Sequence, residues 1–287
     1  MSDDYQRLLT ATIDHLEILK GRGTNYVTVD FATVASLSQP ARFAPAVSRQ
    51  EVKSSPQIEK VSAPAQPEIT TPQPKISVGT SEKQAAMSEL KSRAMICVKC
   101  PNLAASRKNV VFGVGDIESP LMFVGEAPGA DEDAQGEPFV GKAGELLTRI
   151  IQTMGFTRET IYIANVLKCR PDMPGQSSGN RKPTTDEMNT CLPYLLEQID
   201  IIKPRVIVAL GATAVEGLFG KPLPITKLRG NWQTFRDTPV MPTFHPAYLL
   251  HNQALSEKRK VWEDMLQVLE KLEAPISEKQ RNYFLKA

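Results

Sequence analysis

The chain has 287 residues and carries 34 lysines and arginines against 32 aspartates and glutamates, a formal charge of +2. So even a balance excludes a polybasic tail protein but leaves room for a local basic face on nucleic acid. A hydrophobic share of 41% is low and 22 prolines are many for one compact globule, so part of the chain lies outside any core.

Along the chain, the start Met1-Ser2-Asp3-Asp4 is acidic and has none of the regions of a secretory signal. No apolar run approaches the roughly 20 residues of a membrane helix. Tyr5, Leu8, Leu9, Ile13, Leu16 and Leu19 form a helical stripe that Gly21 and Gly23 end. The stripe packs on the protein itself or docks a partner. Seven prolines from Pro40 to Pro74, set among small and polar residues, mark a disordered linker that cannot bury enough surface to offset its ordering entropy.

From about residue 88, apolar runs alternate with helical ones. Strands are expected at 121–124, 161–164, 206–210 and 240–244. Helices are expected at about 143–154, from Thr184 with its capping-box Glu187 to about 201, at about 213–219 and at about 256–272. This pattern is α/β: a three-layer α/β/α domain around a central, mainly parallel four-stranded sheet. Residues 1–37 are read as an N-terminal helical segment, 38–87 as linker, 88–275 as the main domain and 276–287 as a tail. Ligands of such sheets sit beyond the carboxyl ends of the strands. The polar segments 125–141, 165–183 and 245–252 fall there.

Cys97-x-x-Cys100, Cys169 and Cys191 are too few for a disulfide scaffold. In a reducing cytoplasm, the expected location, they are either core thiols or metal ligands. Lys99 and Pro101 make a poor setting for core packing, which favours metal. Four thiolates suit zinc and an iron–sulfur cluster equally. The segment Gly125–Asp133 is neither a phosphate loop nor GxGxxG, and its acidic run disfavours a triphosphate.

In order along the chain stand Gly125–Asp133, Pro138-Phe139-Val140-Gly141, Asn165-Val166-Leu167-Lys168-Cys169-Arg170-Pro171, Leu210–Ala214 and His245-Pro246-Ala247-Tyr248-Leu249-Leu250. With the CxxC, this ordered set resembles the iron–sulfur family, family four, of uracil-DNA glycosylases over about residues 94–272. The resemblance implies a [4Fe–4S] cluster on Cys97, Cys100, Cys169 and Cys191, and excision of uracil from DNA, single- or double-stranded, to leave an abasic site. It implies further that Asn165 reads the uracil edge, Phe139 stacks on the base, and backbone at Gly125 and Glu126 lies against it. His245 is similar to the family's donor to the uracil oxygen that gains charge.

The water-activating position is less direct. Other families of the superfamily place Asp or Asn two positions after the strand-end glycine, where this chain has Ala127. Glu126 is the candidate, either as base or as electrostatic support for the cationic sugar. Asp131 and Glu132 are secondary, and Glu132 has an alternative role in bracing the pocket.

For DNA, Lys168, Arg170, Arg181 and Lys182 are expected at phosphates, or equally as solvated surface charges, and Tyr248-Leu249-Leu250 either as a wedge filling the space of the flipped base or as helix-start packing. Asp172–Gly179 reads as an insertion, without the histidine of a subgroup that bonds covalently to DNA. His251 stands where the family often has Arg. The N-terminal helix is the expected contact for a repair or replication protein, and nothing in the sequence demands more than a monomer. The competing readings are a non-catalytic cysteine-metal nucleic-acid-binding module, a glycosylase for another deaminated base, and a hydrolase of free nucleotides.

Overall fold

A computed structural model of the chain describes residues 78–173 and 179–285. The expected N-terminal helix and most of the expected linker lie outside the described residues. The elements are α1 (Val78–Met95), α2 (Pro101–Ser106), β1 (Val114–Gly115), β2 (Leu121–Gly125), α3 (Ala130–Gln135), α4 (Lys142–Met154) and β3 (Tyr162–Asn165). There follow α5 (Thr185–Ile202), β4 (Val206–Leu210), α6 (Ala212–Phe219), α7 (Ile225–Leu228), β5 (Gln233–Phe235), β6 (Thr238–Thr243), α8 (Pro246–His251), α9 (Leu255–Lys271) and α10 (Glu278–Arg281).

The sheet order is β1-β3-β2-β4-β6-β5. The inner four strands run parallel, and both edges are antiparallel. The expected four-stranded sheet is thus the centre of a six-stranded one. The two edge strands escape a periodicity reading for physical reasons. β1 has two residues, and one is glycine. β5 reaches β6 through Arg236-Asp237, both left-handed at φ 46° and 66°, a hairpin turn that usually carries Asn or Gly.

Alternate side chains of each inner strand enter different cores, which is what makes three layers. Met122, Val124, Ala164, Ile207 and Ala209 pack with Leu90, Leu195 and Val215, under α1, α5 and α6. Leu121, Phe123, Ile163, Val206 and Val208 pack with Leu147, Ile151, Met265 and Leu269, under α4 and α9. The α5 start is as read: Thr184 Oγ1 accepts from the Glu187 amide at 3.2 Å, and Glu187 Oε2 accepts from the Thr184 amide at 2.8 Å.

Two boundaries differ from expectation. The folded domain begins within the stretch read as linker, because Met87, Leu90 and Ala94 form one apolar stripe on α1 that enters the core. Lys83 fastens the same helix to Glu118 at 2.6 Å. The segment read as a tail is also packed: Trp262 Nε1 donates to Gln280 O at 2.6 Å, and Tyr283 meets the Trp262 ring edge-on at 5.5 Å. Losing one such hydrogen bond and aromatic pair costs about 1–3 kcal/mol. Deleting residues 277–287 therefore lowers the melting temperature by about 2–10 °C in a thermal denaturation scan. An unchanged midpoint would show that the segment contributes nothing.

Candidate active site

Gly125 pairs with Asn165 across β2 and β3, and Leu210 with Thr243 across β4 and β6. This register lines up the carboxyl ends of all four inner strands. Beyond them lies a cavity of about 260 Å³, whose walls include Glu126, Gly129, Glu132, Phe139, Asn165 and His245. The amide, the ring and the imidazole expected to meet at one base thus share one cavity. Gly125 permits the approach: a Cβ there would stand 2.4 Å from both Asn165 Oδ1 and Phe139 Cζ.

Asn165 is 2% exposed, and its Oδ1 is the one buried side-chain nitrogen or oxygen without a hydrogen-bond partner among the described residues. Leaving such an atom unpaired costs about 1–3 kcal/mol. A ligand with an N–H at that point recovers the loss.

Phe139 is held in a left-handed backbone at φ 55°. Arg158 holds it there, donating from Nη1 to Phe139 O at 3.1 Å and from Nη2 to Pro138 O at 2.7 Å. The first turn of α4 also presses on it, since a Cβ on Gly144 would lie 1.9 Å from Phe139 O. The Glu132 carboxylate accepts from the amides of Gly129, Val140 and Gly141 at 3.0, 3.0 and 3.1 Å. It therefore ties the β2 loop to the Phe139 loop, the bracing role weighed for it above.

His245 caps α8, and its Nδ1 accepts from the Ala247 amide at 3.2 Å. Nδ1 is thus the acceptor, and a neutral ring carries its proton on Nε2. Burial pushes the imidazole pKa down to about 4, with only Glu132 opposing. The ring stands 5.7 Å from that of Phe139, centroid to centroid. Burial raises the Glu126 carboxyl, against the Thr213 hydroxyl and Lys182, which lower it.

No three His, Cys, Asp or Glu side chains form a ready metal site among the described residues. The cysteines nonetheless gather closely enough to act on one another. Cys97 and Cys169 both raise the Cys100 thiol, and Cys100 and Cys169 both raise Cys191, which burial pushes up to about 12. Two donors already face the sulfurs: Arg107 Nη1 stands 3.2 Å from Cys169 Sγ and the Lys168 amide 3.2 Å from Cys191 Sγ. Cys169 and Cys191, so buried, ionise readily only beside a bound cation, and the N–H donors suit their thiolates. The residues present therefore fit a thiolate-bound metal group.

Several expected DNA contacts are placed elsewhere. Lys168 is 2% exposed, and its Nζ donates to Asn165 O at 2.9 Å and Gln198 Oε1 at 2.6 Å. Burial pushes its pKa down to about 7, and an amine so enclosed and so bonded does not reach a phosphate. Leu249 is 5% exposed and packs with Phe244 and Val261, so it does not project as a wedge. Tyr248 bonds Glu257 at 3.0 Å and lies against Phe244. Leu250 is half-buried and His251 exposed. Arg181 forks onto Glu187, and Lys182 pairs with Glu216 at 2.6 Å. Arg170 holds Asn180 Oδ1 at 2.8 Å and Gly179 O at 2.7 Å.

Sequence reasoning missed Pro171 and Asn180 as cavity walls and Arg158 as the clamp on Phe139. Asn180 arrives through an isolated bridge to Asp172. Arg158 binds backbone carbonyls, which no residue pattern announces.

Residues 112–266 match the uracil DNA glycosylase superfamily. A type-4 uracil-DNA glycosylase of Thermotoga maritima is 46% identical over 187 residues, covering 64% of this chain and 93% of that protein. One of Sulfurisphaera tokodaii is 39% identical over 209 residues, covering 70% and 90%. A type-5 uracil-DNA glycosylase of Pyrobaculum aerophilum is more distant, 26% identical over 153 residues. By a superfamily match over more than half of its length and by relatives 39–46% identical that it covers to 90% or more, this chain belongs to the type-4 uracil-DNA glycosylase family.

Proposed function

We propose that the chain excises uracil from DNA by hydrolysing its N-glycosidic bond, leaving an abasic site. The observation that carries this reading is the unpaired Oδ1 of Asn165, set in a cavity wall with Phe139 and His245. An extruded uracil offers N3–H to that oxygen and O4 to the Asn165 amide nitrogen. Cytosine offers an acceptor and a donor in the reverse order and leaves both groups mispaired. Phe139 supplies the stacking face.

Cleavage sends the electron pair of the C1′–N1 bond into uracil, with charge gathering at O2, and leaves an oxocarbenium-like sugar. The Nε2–H of His245 donates to that oxygen, a contribution of about 10²–10³ in rate for one such donor. The water oxygen bonds C1′ and its proton passes to Glu126 or to solvent, while the Glu126 carboxylate stabilises the cationic sugar. Glu132 holds the two loops and takes no proton.

Cys97, Cys100, Cys169 and Cys191 would hold a [4Fe–4S] cluster. When bound, the cluster supplies a rigid crosslink and moves no electrons in a hydrolysis. Through it the four residues would tie the segment before α2 to the loop after Asn165 and to α5, which would steady the strand-end residues of β3 from behind the cavity. The partner is uracil-containing DNA. Arg181 lines the cavity and, with Arg170 and Lys182, remains an expected phosphate contact; the pairs Arg181–Glu187 and Lys182–Glu216 must loosen for those two to serve.

Three outcomes test the reading. Glu126→Gln and His245→Asn each lower single-turnover excision from a uracil oligonucleotide at least tenfold while DNA binding persists; wild-type excision by either variant removes its assigned role. For His245, the lowered pKa means a neutral donor from high pH down to about 4. Between about pH 6.5 and 4 the unfolded chain binds the extra proton and the folded one does not, so stability falls as pH falls there. An imidazole titration followed by NMR gives a midpoint near 4, and a midpoint near 6.5 contradicts the assignment. Purified protein is brown, absorbs at about 400 nm and loses both properties in Cys169→Ala; a colourless protein that binds zinc would refute the cluster.

A further inference from the structure

One buried group has no part in the mechanism above. Lys168 sits three residues past Asn165, with its amine wholly inside the protein. The last β1–β3 pair is Val114 with Ile163, so the Asn165 carbonyl lies beyond the reach of the edge strand. Lys168 Nζ takes that carbonyl at 2.9 Å. Its other bond, 2.6 Å to Gln198 Oε1, reaches α5. Gln198 is fixed in turn, its Nε2 donating to Phe112 O at 3.0 Å and Tyr162 Oη at 3.1 Å. The Lys168 amide meets Cys191 Sγ, and its carbonyl accepts from the Val111 amide at 2.8 Å.

Burying a lysine amine costs several kcal/mol. No carboxylate bonds it among the described residues, and a methionine would fill the same space at less cost. What the amine provides is orientation. A bond to the Asn165 carbonyl fixes the peptide plane after Asn165, and with it the direction of the Cα–Cβ bond. An amine donates to this carbonyl in either protonation state.

We infer that Lys168 is a positioning residue for base recognition, clamping the Asn165 carbonyl so that the side-chain amide faces the cavity and linking it through Gln198 to the helix that carries Cys191. The inference rests on the role proposed for Asn165. A position error of an ångström at a recognition group is enough to cost tens of fold in rate.

The test is a double-mutant cycle on the full chain, read as single-turnover excision of uracil from an oligonucleotide. Binding of undamaged DNA and visible absorbance are followed as controls. Lys168→Met is expected to slow excision about tenfold or more with both controls retained. Asn165→Ala slows it further, and Lys168→Met adds nothing in the Asn165→Ala background. A lysine that merely supports the fold would slow both backgrounds alike. Multiplying effects, or wild-type excision by Lys168→Met, overturn the inference. Should Lys168→Met not fold, Gln198→Met removes only the outer anchor; it is expected to slow excision about threefold, again only when Asn165 is present, and equal slowing in both backgrounds overturns the inference. Wild-type excision by Asn165→Ala alone identifies the reading of Asn165 as the failure, and the inference falls with it.

Discussion

The site depends on one close approach, that of the Asn165 amide and the Phe139 ring to the backbone of Gly125. Parallel pairing puts Gly125 beside Asn165, and no side chain larger than hydrogen fits between them and the ring. The same register makes the rest of the cavity possible, because it brings the end of β2, the end of β3 and the His245 loop after β6 to one edge of the sheet. A single step in that register would turn every inner-strand side chain to the opposite core. The two packed layers therefore guard the cavity without touching it.

Around this fixed edge the mobile parts of a loop site are tied down by groups that do no chemistry. Glu132 gathers three amides, and Arg158 gathers two carbonyls. Behind His245, Asp264 is fully buried and accepts from Thr243 Oγ1 at 2.6 Å and from Arg229. That trio fastens α9 to the strand end from which His245 emerges. Polar groups this well satisfied keep a recognition surface in place before a base arrives, so less ordering entropy is lost on binding.

Much of this was readable in the residues. Three of the four inner strands announce themselves as short apolar runs stopped by Gly125, Asn165 and Gly211, and the fourth as the mostly apolar run Val240–Phe244 before His245. Thr184 and Glu187 announce α5 by their spacing. The resemblance carried by the ordered motifs implies that Asn165, Phe139 and His245 meet at one base, and the three share one cavity. What escaped has common causes. β1 and β5 are too short for a period, and the Arg236-Asp237 turn uses residues that rarely mark one. α1 lay hidden because three apolar positions in a polar stretch carry its packing. Lys168 looked like a surface cation because composition cannot show that a lysine lies behind a strand end. Leu249 looked like a wedge for the same reason, although its neighbours Phe244 and Val261 claim it.

These ties converge on the claim that Asn165, Phe139 and His245 form one receptor for an extruded pyrimidine. A crystal structure with uracil bound tests it most directly. The account predicts N3 within about 2.7–3.2 Å of Asn165 Oδ1, O2 at the same reach of His245 Nε2, and the ring lying on Phe139. Uracil bound outside this cavity, or inside it with Asn165 Oδ1 still unpaired, would contradict the account.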